Sequence, residues 1–117
     1  MKNLVAFFEI PATDFDRAVR FYETILETKI SAYDFGKEKM GFFANNAGAI
    51  SWADGFKPSK DGVLVHLSCN DITQTLACIE TQGGQIITPK TKIEADNAGY
   101  FALFSDSEGN RVGLWSK

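Results

Sequence analysis

"TDFDRAVRFYETILE" (residues 13–27) carries Phe15, Val19, Tyr22 and Leu26 at the three- and four-residue spacing of one helix face. Thr13 followed by Asp16 reads as an N-terminal capping box with Asp in place of Glu. Upstream, "LVAFFEI" (4–10) reads as a strand that Pro11 ends. Downstream, 29–35, 39–45 and 48–54 read as three more strands, turned at Gly36-Lys37 and Asn45-Asn46. The order is therefore strand, helix, then three strands.

Adding 57 to each number brings a second copy of that order into line. Asp14 falls on Asp71, Phe15 on Ile72, Val19 on Leu76, Tyr22 on Ile79, Glu23 on Glu80 and Thr24 on Thr81. "GVLVHLSC" (62–69) is a strand pattern and "DITQTLACIETQ" (71–82) a helix pattern, stopped by Gly83-Gly84. "QIITP" (85–89), "YFALFSD" (100–106) and "RVGLW" (111–115) complete the repeat, the last two joined by the turn "SEGN". Residues 1–117 thus predict a single α+β domain of two βαβββ modules, about 4–53 and 62–116, each with one apolar sheet face to cover.

Composition narrows the function classes. Apolar residues make up 44% and charged residues 23%, enough for a packed core. The net charge of −3, with no Lys/Arg run, offers no basic face for nucleic acid. No apolar run approaches the ~18 residues of a membrane span. Glu9 and Pro11 interrupt the first apolar run, which is unlike a signal peptide. Cys69 and Cys78 match no zinc spacing and read as free thiols in a reducing cytoplasm.

The segments "DFDRAVRFYETIL" (14–26), "GGQIITPKT" (83–91) and "FSDSEGNRVGLW" (104–115) resemble the vicinal oxygen chelate superfamily. That superfamily includes glyoxalase I, extradiol dioxygenases and bleomycin-resistance proteins. The resemblance covers almost the whole chain and implies two βαβββ modules forming a curved mixed sheet around an open cleft. It also implies a homodimer, often with the cleft built from two chains. Metal-dependent members hold a divalent ion with His, Glu or Gln on the first and last strands of each module. Carried onto this chain, those positions are Phe7, Ser51, Leu64 and Gly113. Phe, Leu and Gly offer no donor, and a neutral Ser is a poor one, so neither a metal nor another cofactor is expected.

The one histidine, His66, then becomes the focus. Val63, Val65, Leu67 and Cys69 are the apolar set of their strand and should pack under the second helix. Leu64, His66 and Ser68 then face the cleft, as Val5, Phe7 and Glu9 do in the first strand. The offset of 57 relates Glu9 to His66 and Phe7 to Leu64. Glu9 and His66 are therefore the candidate catalytic pair, expected to interact directly or through one water. Phe7, Ser51, Leu64, Ser68 and Trp115 are candidate ligand contacts, with aromatic residues suiting a flat or apolar ligand. Two functions remain open on these residues. One is metal-free acid/base chemistry on a small organic molecule by Glu9 and His66. The other is non-catalytic sequestration or sensing of such a molecule. Asp106 and Glu108 are expected to shape the tight turn and not to act in catalysis.

Overall fold

The computed structural model describes residues 4–117. Its elements are β1 (Phe8–Pro11), α1 (Phe15–Leu26), β2 (Ser31–Asp34), β3 (Glu38–Phe42), β4 (Gly48–Ala53), β5 (His66–Ser68), α2 (Ile72–Thr81), β6 (Gln85–Lys92), β7 (Tyr100–Ser105) and β8 (Arg111–Ser116). They form two four-stranded mixed sheets, ordered β1-β4-β3-β2 and β5-β8-β7-β6. In each, the first strand runs parallel to the fourth and the remaining pairs are antiparallel. No helix is long and apolar enough to cross a membrane.

Several boundaries differ from the sequence expectation for physical reasons. β1 begins at Phe8 rather than Leu4 and ends on Pro11, which is itself in register with Ser51. β1 is an edge strand, where a missing N–H removes no ladder bond. The N-cap of α1 is Asp14 rather than Thr13: its carboxylate accepts from Arg17 N–H at 3.1 Å. Asp71 caps α2 in the same way, accepting from Gln74 N–H at 3.1 Å. β5 is only three residues long, so Val63 lies outside it and is 92% exposed instead of packing under α2. Leu67 and Cys69 do pack against the core. β6 runs on to Lys92 through two irregularities of register, past the expected stop at Pro89.

The buried face of α1 is broader than its sequence stripe. Phe15, Ala18, Phe21, Tyr22 and Ile25 are buried, while Val19 and Leu26 are half-buried. The helix is covered from two sides. Ile10 and Ile50 of the first sheet belong to the same apolar cluster as Phe104 and Leu114 of the second. The Phe21 ring lies 6.3 Å from that of Phe104, and Tyr22 meets Phe43 edge-on at 5.8 Å. Gly84, just after α2, is fixed by close approach: a Cβ there would stand 2.7 Å from Ser105 O and from Ile79.

The two halves are also stapled by polar groups from the β7–β8 turn. Glu108 Oε1 accepts from Thr13 N–H at 2.9 Å and Asp14 N–H at 2.7 Å. Arg17 donates to the same carboxylate through Nε at 2.7 Å and Nη2 at 3.1 Å. Beside it, Tyr22 Oη donates to Asp106 Oδ2 at 2.6 Å, fully buried. Burial and the adjacent Asp106 push the Tyr22 phenol well above its ordinary range, so it remains a donor. Asn110 ties a third point, donating through Nδ2 to Pro11 O at 2.8 Å. Asp106 and Glu108 thus tie the two halves together as well as shaping their turn.

Burial opposes ionisation of Glu108, but the Arg17, Asp14 and Ser107 donors outweigh it and hold its carboxyl below the usual range. A depressed carboxyl contributes stability above its unfolded value, and that contribution is lost as pH falls through the folded value. Glu108→Ala should therefore cost about 1–2 kcal/mol at neutral pH, by removing charge-assisted hydrogen bonds from two backbone donors and Arg17 that water can partly replace. In urea unfolding, the gap between wild type and Glu108→Gln should narrow as pH drops below about 4.5. A pH-independent gap would contradict the ionic staple.

Candidate functional site

Each sheet has one face under helices and one open face. On the first sheet, strand alternation sends Phe8 and Ile10 toward the core and Phe7 and Glu9 to the open side. Ser51 is 2% exposed there, and its Oγ donates to Glu9 Oε1 at 2.7 Å. Phe7, Phe42, Tyr33 and Phe35 form a continuous aromatic row, with successive centroids 6.0, 5.9 and 6.1 Å apart. Three of these rings are accessible: Phe7 is 37% exposed, Tyr33 53% and Phe35 57%.

On the second sheet, His66 pairs in register with Gly113, which faces Leu103 on β7. The imidazole lies across Gly113, so that a Cβ on residue 113 would stand 2.3 Å from Nδ1. Phe101 meets the ring edge-on at 6.5 Å. Leu64, His66, Ile93, Phe101, Leu103 and Trp115 line a shallow hollow of about 420 Å³, nearly all of it apolar. Trp115 Nε1 donates to Ala98 O at 2.8 Å, which pins the loop ahead of β7 to the hollow's rim.

The sequence-predicted residues therefore separate into groups. Leu64, His66 and Trp115 come together on the second sheet. Glu9 and Ser51 are hydrogen-bonded on the first, with Phe7 in the aromatic row. Ser68 is on the open side of β5, but it lines a different hollow, between the helices, with Cys69, Asp71 and Cys78. Glu9 and His66, expected from sequence to interact directly or through one water, share no direct hydrogen bond or ion pair among the described residues. They stand on different sheets, and Ser51 already occupies one Glu9 oxygen. Sequence reading missed Leu103 and Ile93 as lining residues. The alternation of Phe101 and Leu103 against the buried Ala102 and Phe104 was the available signal.

The residues at the carried-over metal positions do not fit a divalent ion. Ser51 Oγ is committed to Glu9, Gly113 is overlaid by an imidazole, and Phe7 and Leu64 carry no donor. Strand register adds a detail. Glu9 pairs with Ala49 as His66 pairs with Gly113, so Ala49 is the true counterpart of Gly113, and it too lacks a donor. No cluster of three or more His, Cys, Asp or Glu suited to a metal occurs among the described residues.

With this geometry in view, comparison with known proteins places the chain. The family model described as Glyoxalase/Bleomycin resistance protein/Dioxygenase superfamily matches residues 4–114. The chain belongs to that superfamily. No curated protein sequence matches it. Among solved structures it is similar to hypothetical protein SA1046 from S. aureus, at TM-score 0.70 and 16% identity over 100% of both chains. It is similar to glyoxalase I from Zea mays at TM-score 0.72 and 20% identity, covering 92% of this chain but only 44% of that one. It is also similar to the fosfomycin resistance protein FosX from Mesorhizobium loti, at TM-score 0.68 and 13% identity over 100% and 93% of the two chains. At these identities the likeness is one of fold.

Gly113 offers a probe of the hollow. Gly113→Ala should drive the His66 ring off its seat while leaving the protein folded, because a side-chain tip rather than backbone must give way. The single imidazole makes this readable by NMR: the His66 ring resonances should move and their contacts to Phe101 weaken. Unchanged His66 and Phe101 signals would mean that the ring does not rest on Gly113.

Proposed function

We propose that this superfamily member holds a small apolar or aromatic organic molecule on its open sheet faces without using a metal, and that Glu9 and His66 supply acid/base chemistry there. The observation that carries the reading is the His66 imidazole seated over Gly113 in an apolar hollow, where the metal-dependent pattern requires a metal donor. Imidazole ionises close to neutral pH, so it can give or take a proton under ordinary conditions. Phe7, Ser51, Leu64, Ser68 and Trp115 are the proposed ligand contacts. No nucleic acid or membrane partner enters this reading, and the free Cys69 and Cys78 suit a cytoplasmic setting.

The reading includes a homodimer. Glu9 and His66 lie on separate sheets, and both open faces expose aromatic or apolar surface. Face-to-face pairing of two chains covers the exposed Phe7, Tyr33 and Phe35 and brings a Glu9-bearing face toward a His66-bearing one. Sequestration without catalysis is the second reading. It is favoured by the absence of any hydrogen-bond partner orienting His66 among the described residues, which a working base usually has.

The test is a thermal-shift screen of small metabolites, with and without added zinc, nickel or manganese, followed by turnover assays on whatever binds. Under this reading a ligand stabilises the protein equally with and without metal, and His66→Ala and Glu9→Ala each weaken its binding. Turnover lost in both variants supports catalysis, whereas tight stoichiometric binding without turnover supports sequestration. Elemental analysis finding one tightly held metal per chain would overturn the metal-free part. Light scattering should give twice the chain mass at micromolar concentration, and a monomer mass would count against the shared cleft.

A further inference from the structure

A second hollow, of about 390 Å³, lies between the edge of β1 and the segment that leads into β5. Its volume is at the low end of the range for small-molecule pockets, roughly 300–1,000 Å³. Phe8, Ile10, Phe56, Val63, Val65 and Val112 give it apolar walls. Glu9, Lys57, Ser59, Asn110 and Arg111 supply its polar groups. Most of these are already engaged. Ser59 N–H donates to Asn110 Oδ1 at 3.0 Å, Asn110 Nδ2 donates to Pro11 O and Asp106, and Glu9 accepts from Ser51.

Arg111 is the exception. Its Nε is buried yet has no acceptor, the one side-chain nitrogen or oxygen in that state among the described residues. A buried N–H is normally paired, and a guanidinium pairs best with a carboxylate presented in its plane. Lys57, on the exposed segment over the hollow, adds a second positive charge. Against the single negative charge of Glu9, the two cations leave the lining one charge positive. The linker is tacked down beside it through Ser59, whose carbonyl accepts from Arg111 N–H at 3.3 Å, whereas Val63 is 92% exposed and free to fold over an occupant.

We infer that this hollow is a binding site for a small amphipathic monocarboxylate, separate from the open-face cleft around His66. The carboxylate pairs with the Arg111 guanidinium and Lys57, and its hydrocarbon part lies against Val65, Ile10 and Phe56. The site requires no activity at His66 and stands or falls apart from the proposed function. It also gives a use to the linker, which is otherwise only a connection between the two modules.

Calorimetric and NMR titration of the full chain with octanoate tests this, with octanol and octylamine as controls. Octanoate should bind saturably and shift the Arg111 Nε–H resonance, and both controls should bind more weakly. Arg111→Met, which keeps the stem and loses the head, should weaken octanoate roughly tenfold or more. Val65→Trp should block binding by filling the hollow. Lys57→Gln, on the exposed segment where folding is not at stake, should weaken it severalfold. His66→Ala should leave octanoate affinity unchanged. The inference is overturned by absence of saturable binding, by octylamine binding as well as octanoate, or by affinity that survives Val65→Trp and Lys57→Gln. Loss of octanoate binding in His66→Ala would assign the molecule to the open cleft and overturn a separate site.

Discussion

One carboxylate, that of Glu108, stands where the two halves of the chain meet. It projects from the β7–β8 turn and accepts two backbone N–H groups at the start of α1, more than 90 residues earlier. The first amides of a helix have no partner within the helix, and an anion placed there also meets the positive end of the helix dipole. Asp14 satisfies one of these donors locally, at Arg17 N–H, while the amides ahead of the helix depend on Glu108. Arg17 closes around the carboxylate from the other side, and its own guanidinium is held above its ordinary range chiefly by that hydrogen bond. Tyr22 and Asp106 repeat the link further along the helix, inside the core. Together they fix how α1 seats against both sheets, and so where the open faces lie.

The duplicated strand and helix pattern was legible because burial on one face imposes a period on each element. Ile10, Ile50, Leu76, Ile79 and Leu114 fall at positions where the period alone predicts burial, and they are buried. The side of α1 that meets Phe104 was less legible, since Ala18 and Phe21 are called inward by the second sheet rather than by the helix's own stripe. The role of Glu108 was hidden for a stronger reason. "DSEGN" suffices as a turn, and nothing local announces that its carboxylate caps a helix in the other half. Val63 misled because alternation was extended past the point where β5 is paired. β8 supports only His66, Leu67 and Ser68, and without a neighbouring strand an alternating pattern assigns no face.

Of the residues singled out in the sequence, those of the second sheet lie together, whereas Glu9 and His66 stand on different sheets. Leu64, His66 and Trp115 converge because β5 and β8 are parallel neighbours and the loop before β7 is pinned to Trp115. Glu9 and His66 occupy equivalent places under the internal repeat, yet their surroundings differ. A serine hydroxyl holds the carboxylate, and a bare glycine lets the imidazole lie across the strand with Phe101 edge-on to it. The duplication has been kept in backbone and core and abandoned in side-chain chemistry.

Amide hydrogen exchange on wild type and Glu108→Gln tests most directly whether this one carboxylate holds the halves together. The substitution keeps the shape and removes the charge. If the staple governs the seating of α1, the Thr13 and Asp14 amides should lose protection first and most. The first turn of α1 and the β7–β8 turn should follow, while β3 and β4 stay protected. Protection at Thr13 and Asp14 that is unchanged, or that falls only in step with the whole molecule, would show that apolar packing seats the helix and that Glu108 merely decorates the contact.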